Sequence, residues 1–173
     1  AKPSSNNPKP APRLLEGPLY ELRIYHASEG RFQHLIKRFR EHTDRIFKKH
    51  GLKALGYWIP TEGSAKNKRR FVYLLEHPSR YEAYRNWTNF FNDKEWEKVM
   101  DKPEFQGLLS EKPTSIFLTP NDYSALTRNK IEKPDGIFEL RTYVANPGKL
   151  DGLNTRFREH TTNLFNKHGI KNL

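Results

Sequence analysis

Between Tyr20 and Tyr25 apolar and polar positions alternate, with Tyr20, Leu22 and Ile24 set against Glu21, Arg23 and Tyr25, the period-two signature of a half-buried strand. After Gly30 the spacing changes. Phe32, Leu35, Ile36, Phe39, Ile46 and Phe47 recur every three or four residues and predict an amphipathic helix of about five turns, ending at His50 with Gly51 as its left-handed cap. Residues 52–59 are apolar and aromatic up to Pro60, and 71–76 (FVYLLE) form the return strand across a polar, lysine-rich loop. Helix resumes after Pro78, with Ser79 as candidate N-cap and Tyr81, Tyr84, Trp87 and Phe91 as one helical face. A further helical stretch from Asp93 carries Trp96, Val99 and Met100, and 114–119 (TSIFLT) is the last strand. The order βαββαβ in about 100 residues predicts an α+β, ferredoxin-like unit, four antiparallel strands with two helices on one face.

The pattern then returns. YELRIYHASEG at 20–30 comes back as FELRTYVANPG at 138–148, and RFREHTDRIFKKHGLKAL at 38–55 as RFREHTTNLFNKHGIKNL at 156–173. The two copies agree at 19 of 36 aligned positions with a constant offset of 118. The first copy continues for about 65 residues past Leu55, so the expectation is a complete domain at 19–120 and a truncated second repeat, a partial βα unit, at 136–173. Polar residues 121–135, closing on Pro134 and Asp135, read as a linker. Residues 1–18 hold five prolines and a single acid, Glu16, and read as a disordered basic arm. Its acid-poor composition is that of a mitochondrial presequence remnant, although its prolines oppose the amphipathic helix such signals use.

YELRIY and FELRTY at the head of each copy, the long helix ending in KHG, GYW at 56–58, VYLLE at 72–76 and DKEW at 93–96 together resemble the NIPSNAP family. The resemblance spans residues 20 to about 120 and resumes from 136 to the end. It implies a dimeric α+β barrel, in which two ferredoxin-like units set their open sheet faces together, and hence a homo-oligomer or pairing between the repeats. It further implies a non-catalytic interaction or scaffold protein with protein partners, associated with mitochondria or vesicle traffic and otherwise cytoplasmic. The hairpin loop TEGSAKNKRR departs from the family's shorter turn. The half-repeat, with a hydrophobic stripe and a strand edge left over, adds an expectation of self-association.

Composition narrows the function classes. Hydrophobic residues reach only 35% and mean hydropathy is −0.92, but 13% aromatics supply a core that a disordered polyelectrolyte lacks. No run approaches the roughly 18 to 20 apolar residues of a membrane span, and none resembles a secretory signal, so neither secretion nor membrane insertion is expected. Zero cysteines exclude a disulfide framework, a thiolate metal site and a thiol nucleophile. The net charge is +11, and the excess is local: seven Lys/Arg against three acids over 28–50, and four against one over 61–70. Such an exterior suits an acidic or membrane surface. Residues 69–76 (RRFVYLLE) partly resemble an RNA-binding octamer, but lack its glycine, and the basic charge lies away from the sheet, so nucleic acid is not an expected partner.

Candidate chemistry centres on β-strand one. Glu21, Arg23 and Tyr25 recur as Glu139, Arg141 and Tyr143, and are expected on the open sheet face with the apolar residues turned to the helices. With Trp58 they form the candidate ligand-binding set of a barrel interior, suited to an anionic or oxygenated small molecule and available to an alternative, monooxygenase-like reading. The simpler role is an ion pair that braces the barrel. His42 and Thr43, repeated as His160 and Thr161, are a polar pair interrupting the helix stripe, and a histidine there could act as a general base. No Ser, Cys or second His stands at a triad or metal spacing: His34 and His42, eight apart, lie about 80° apart around a helix. His50 and His168 precede the cap glycines and suit helix C-termini. With no compact catalytic signature, the sequence predicts no catalytic residue, metal site or cofactor.

Overall fold

The computed structural model describes residues 17–64, 66–124 and 136–172, so nearly all of the predicted arm and most of the predicted linker lie outside the described residues. The chain divides into two units after Thr119. The first runs β1 (Leu19–His26), α1 (Phe32–Arg38), a π-helical turn (Phe39–Thr43), α2 (Asp44–Lys49), β2 (Lys53–Trp58), β3 (Arg70–His77), α3 (Arg80–Phe91), α4 (Lys94–Met100) and β4 (Thr114–Leu118). The sheet order is β2-β3-β1-β4 with every pairing antiparallel, the α+β ferredoxin-like plan that the sequence predicts.

Local chemistry sets the boundaries. Gly51 has φ +73° at the end of α2, and a Cβ there would lie 2.9 Å from the Asn86 side chain, whose Nδ2 donates to the Gly51 carbonyl at 3.2 Å. Ser79 and Asp93 cap α3 and α4, accepting from the backbone N–H of Glu82 at 3.1 Å and of Glu95 at 2.7 Å. The predicted long helix is continuous, but His42 and Thr43 fall inside its π-helical turn. Thr43 is buried, and its hydroxyl donates to the Arg38 carbonyl at 3.2 Å. It therefore completes the inward stripe between Phe39 and Ile46 instead of interrupting it, because satisfying its hydroxyl locally leaves its methyl free to pack.

The core lies between sheet and helices. Leu35, Phe39, Ile46 and Phe47 pack onto Tyr25, Phe71, Tyr73 and Leu75, with Phe90 of α3 closing one end. Phe39 meets Phe71 at 4.6 Å between ring centroids, and Phe47 meets Phe90 at 4.9 Å. Burying each such ring stabilises the unit by roughly 1.5–3 kcal/mol. On α3 the buried residues are Ala83, Asn86 and Phe90, while Tyr81, Tyr84 and Phe91 point to solvent. The expected aromatic face is thus mostly the outer one: a stripe rotated by one residue, about 100°, carries smaller side chains that let the helix approach the sheet.

In the second unit α5 (Leu150–Arg156), a π-helical turn (Phe157–Thr161) and α6 (Thr162–Lys167) repeat the first helix. The strand expected at its head is not formed among the described residues: 137–145 make no ladder. Leu140, Tyr143 and Leu164, the counterparts of the buried Leu22, Tyr25 and Ile46, are exposed.

Candidate functional site

The ladder between β1 and β3 decides which way the strand residues face. Glu21 stands opposite Leu75, Arg23 opposite Tyr73 and Tyr25 opposite Phe71, and those β3 residues are the buried, helix-facing ones. The expected orientation is therefore reversed. Glu21, Arg23 and Tyr25 lie beneath the helices, and Tyr20, Leu22 and Ile24 lie on the opposite face, where Tyr20 and Leu22 are nonetheless buried and Ile24 is half-exposed. The reason is that α3 and the neighbouring strands bring donors to the polar residues, which makes their burial tolerable.

Glu21 is 1% exposed and saturated with donors. His77 Nε2 lies 3.0 Å from one carboxylate oxygen, to which Trp87 Nε1 also donates at 2.8 Å. Ser115 Oγ donates to the other oxygen at 2.6 Å, as does Arg23 Nη1 at 3.1 Å. Four elements meet here: β1, β3, α3 and β4. Burial alone would raise the Glu21 pKa, but the hydrogen bonds from His77, Ser115 and Trp87 and the Arg23 charge hold it at about 2. Arg23 also contacts the Tyr25 hydroxyl at 3.4 Å and lies over the Trp87 ring at 4.9 Å. Burial would lower its pKa, yet Tyr73, Tyr25 and Glu21 raise it above the ordinary value. The Tyr73 hydroxyl donates to that of Tyr25 at 3.0 Å, and burial pushes the Tyr73 phenol well up. The cluster is an internal brace in which the Glu21 carboxylate collects the donors, while Arg23 Nε and His77 Nδ1 find no partner.

The other candidates are not drawn into it. Trp58 pairs opposite Val72 on the open face, its ring lying so close over Gly56 that a Cβ there would meet it at 2.7 Å. Glu139 and Arg141 form the same ion pair at 2.7 Å, but with both side chains exposed, and Tyr143 is exposed beside Phe157. His42 is half-buried with its ring edge on Phe105; burial and the adjacent Lys102, 3.3 Å from its Nε2, push its pKa down. His50 meets Asp93 at 2.5 Å at the end of α2, beside the Lys49 ion pair at 2.6 Å, and these two partners hold the Asp93 carboxyl well below the usual range. No group of three or more metal-ligating side chains converges among the described residues.

Sequence reasoning missed His77, Trp87, Ser115 and Tyr57. The alternation Phe71, Tyr73, Leu75 continues to His77 and places it inward, a signal that was present. Tyr57 stacks on Phe71 at 5.7 Å and donates to Asp44 at 2.7 Å; burial first, then Asp44, raises its pKa. Phe71 and Tyr73, the rings an RNA-binding sheet would display, are buried under the helices.

The open face is apolar. Tyr20 sits between Glu76 and Leu118 and Leu22 between Leu74 and Ile116, and both are buried, at 3% and 9% exposed, so that Ile24, Val72, Leu74, Ile116 and Leu118 make up the accessible surface. Ile116 and Leu118 are 44% and 42% exposed, and Ile24, Val72 and Leu74 are half-exposed. Among the described residues no helix is long and apolar enough to cross a membrane.

Comparison with known proteins agrees with this architecture. The family model described as NIPSNAP matches residues 20–125. Among solved structures, a NIPSNAP family protein from Agrobacterium tumefaciens superposes with a TM-score of 0.56 at 22% identity, over 63% of this chain and 98% of that one. A second NIPSNAP family protein from the same organism, one of unknown function, gives 0.56 at 20% identity over 65% and 96%. An uncharacterized NIPSNAP-like domain protein from Burkholderia xenovorans gives 0.55 at 19% identity over 63% and 90%. At these identities the likeness is one of fold. No curated protein matches the sequence.

Proposed function

The chain belongs to the NIPSNAP family, and from that premise we propose that it is a non-catalytic interaction protein that assembles through the open face of its sheet. The observation that carries this reading is the division of labour between the two sheet faces. On the helix side the Glu21 carboxylate is saturated by donors from His77, Trp87, Ser115 and Arg23, while the other side offers Ile24, Val72, Leu74, Ile116 and Leu118 at intermediate or high exposure. Contiguous apolar strand surface of this kind is stabilised by burial against another surface. A second copy of this chain, or the sheet of a paired repeat, is the occupant that matches it in shape and polarity. The basic exterior then remains free for protein partners or for an acidic or membrane surface. Family membership is the support for placing that role at mitochondria or in vesicle traffic.

The test is the mass of the chain in solution. Sedimentation at micromolar concentration is expected to give a dimer or larger species, and Ile116→Arg to reduce it to a monomer with unchanged circular dichroism. A monomeric parent chain overturns the assembly reading. Co-fractionation of the tagged chain with mitochondria, or its absence from them, decides the location.

A further inference from the structure

A groove of about 440 Å³ opens in the second unit between residues 143–145 and α5, walled by Tyr143, Val144 and Ala145 on one side and by Lys149, Leu153 and Arg156 on the other. The constant offset of 118 gives each wall residue a counterpart in the first unit: Tyr25, His26, Ala27, Arg31, Leu35 and Arg38. The walls stand alike in the two units. Tyr143 meets Phe157 edge-on at 5.4 Å where Tyr25 meets Phe39 at 5.7 Å, and the guanidinium of Arg156 lies 5.5 Å over the Phe157 ring, as that of Arg38 lies 5.5 Å over Phe39.

In the first unit the same surface is covered by the chain itself. Residues 100–110 (MDKPEFQGLLS), from the end of α4 through a short helical turn at Pro103–Phe105, run across it. Met100 Sδ lies 3.5 Å from Arg38 Nη1, and Arg31 donates to the carbonyls of Glu104 at 2.8 Å and Gln106 at 2.9 Å. The Ser28 N–H donates to the Leu108 carbonyl at 2.9 Å, Leu109 bridges to Ala27, and the Ser110 N–H donates to the His26 carbonyl at 2.9 Å. Beneath this cover Ala27 and Leu35 are sealed in the core beside Leu108. In the second unit Tyr143 and Val144 are 47% and 94% exposed, and Leu153 is only half-buried.

We propose that the groove is a docking site for an extended segment of a partner protein with the chemistry of residues 100–110: an acidic turn bearing a phenylalanine, followed by a pair of leucines. The first unit supplies the shape of the occupant, and charge supports it. The groove walls carry two cations, Lys149 and Arg156, and no acid, whereas the segment carries Asp101 and Glu104 against Lys102. Lys149 is placed to donate to backbone carbonyls as Arg31 does, and the leucines to bury Leu153 and Ala145. The copy of this segment that the chain itself contains is held in the first unit by the contacts above, so the occupant comes from another protein. The site lies away from the Glu21 cluster and the sheet face, and does not depend on the assembly reading.

A labelled peptide of residues 100–110, titrated with the full chain and followed by fluorescence anisotropy, tests it. Saturable binding is expected, with a scrambled peptide of the same composition binding far more weakly. Ala145→Arg, which lays a long side chain across the groove, is expected to abolish binding, and Lys149→Ala to weaken it roughly tenfold, both with the circular dichroism of the parent. The proposal is overturned if the peptide does not saturate, if the scrambled peptide binds as well, or if Lys149→Ala and Ala145→Arg bind as the parent does. If Ala145→Arg instead lowers the sedimentation mass of the chain, a second copy fills the groove and the partner reading falls.

Discussion

His77 Nε2 and a carboxylate oxygen of Glu21 meet at 3.0 Å with both side chains sealed from solvent, joining the last residue of β3 to the third residue of β1 beneath α3. Because Trp87, Ser115 and Arg23 converge on the same carboxylate, removing it leaves four donors unpaired in the interior. Glu21→Ala is expected to cost about 3–5 kcal/mol in urea unfolding, the range for breaking a buried charge cluster. Glu139→Ala, at the equivalent place but exposed, is expected to leave the unfolding midpoint unchanged. Equal effects would show that the cluster does not brace the fold.

The same carboxylate makes stability acid-sensitive. Its pKa falls from an ordinary 4.5 to about 2 in the folded chain, so its stabilising contribution is complete above pH 4.5 and drains away as the pH drops toward 2. Asp93, also depressed, acts in the same direction. Unfolding free energy measured from about pH 5 down to about pH 2.5 should decline in the parent and decline less steeply in Glu21→Gln.

Asp93 links the end of the long helix to the start of α4 by capping one and neutralising the other. Asp93→Ala is expected to lose about 1–2 kcal/mol, while Asp93→Asn, which keeps the cap, recovers part of it. Chemical denaturation of the two variants side by side separates the cap from the ion pairs.

Tyr57 ties β2 to α2 through its hydroxyl on Asp44. Tyr57→Phe keeps the stack on Phe71 and removes one hydrogen bond, for an expected loss of about 1 kcal/mol. Calorimetry should show a lowered midpoint with an unchanged near-ultraviolet spectrum.

Element order, hairpin, helix caps and the repeat were legible because each rests on short-range pattern: alternation at Tyr20–Tyr25, punctuation at Gly51 and Pro78, a cap at Ser79. The orientation of β1 was not. A rule that turns apolar side chains inward assigns Glu21 and Arg23 to the outside, and only the donors from His77, Trp87 and Ser115, 56 to 94 residues away, reverse it. The face of α3 was missed for a related reason. Both of its stripes contain aromatics, and the inner one is chosen by how closely Ala83 lets the helix sit. The second copy's strand could not be read from its own residues, since a strand exists only with a neighbour to pair with.

The π-helical turn occurs twice, at Phe39–Thr43 and at Phe157–Thr161, over the same five letters, FREHT. In the first unit it is packed against a sheet; in the second, Leu164 is exposed and Leu153, Phe157 and Phe165 are only half-buried. A distortion that recurs over the same five residues in two settings of different burial follows the pentapeptide and its immediate neighbours more closely than it follows the core. The widened turn is therefore a part the helix brings with it, shared by both copies.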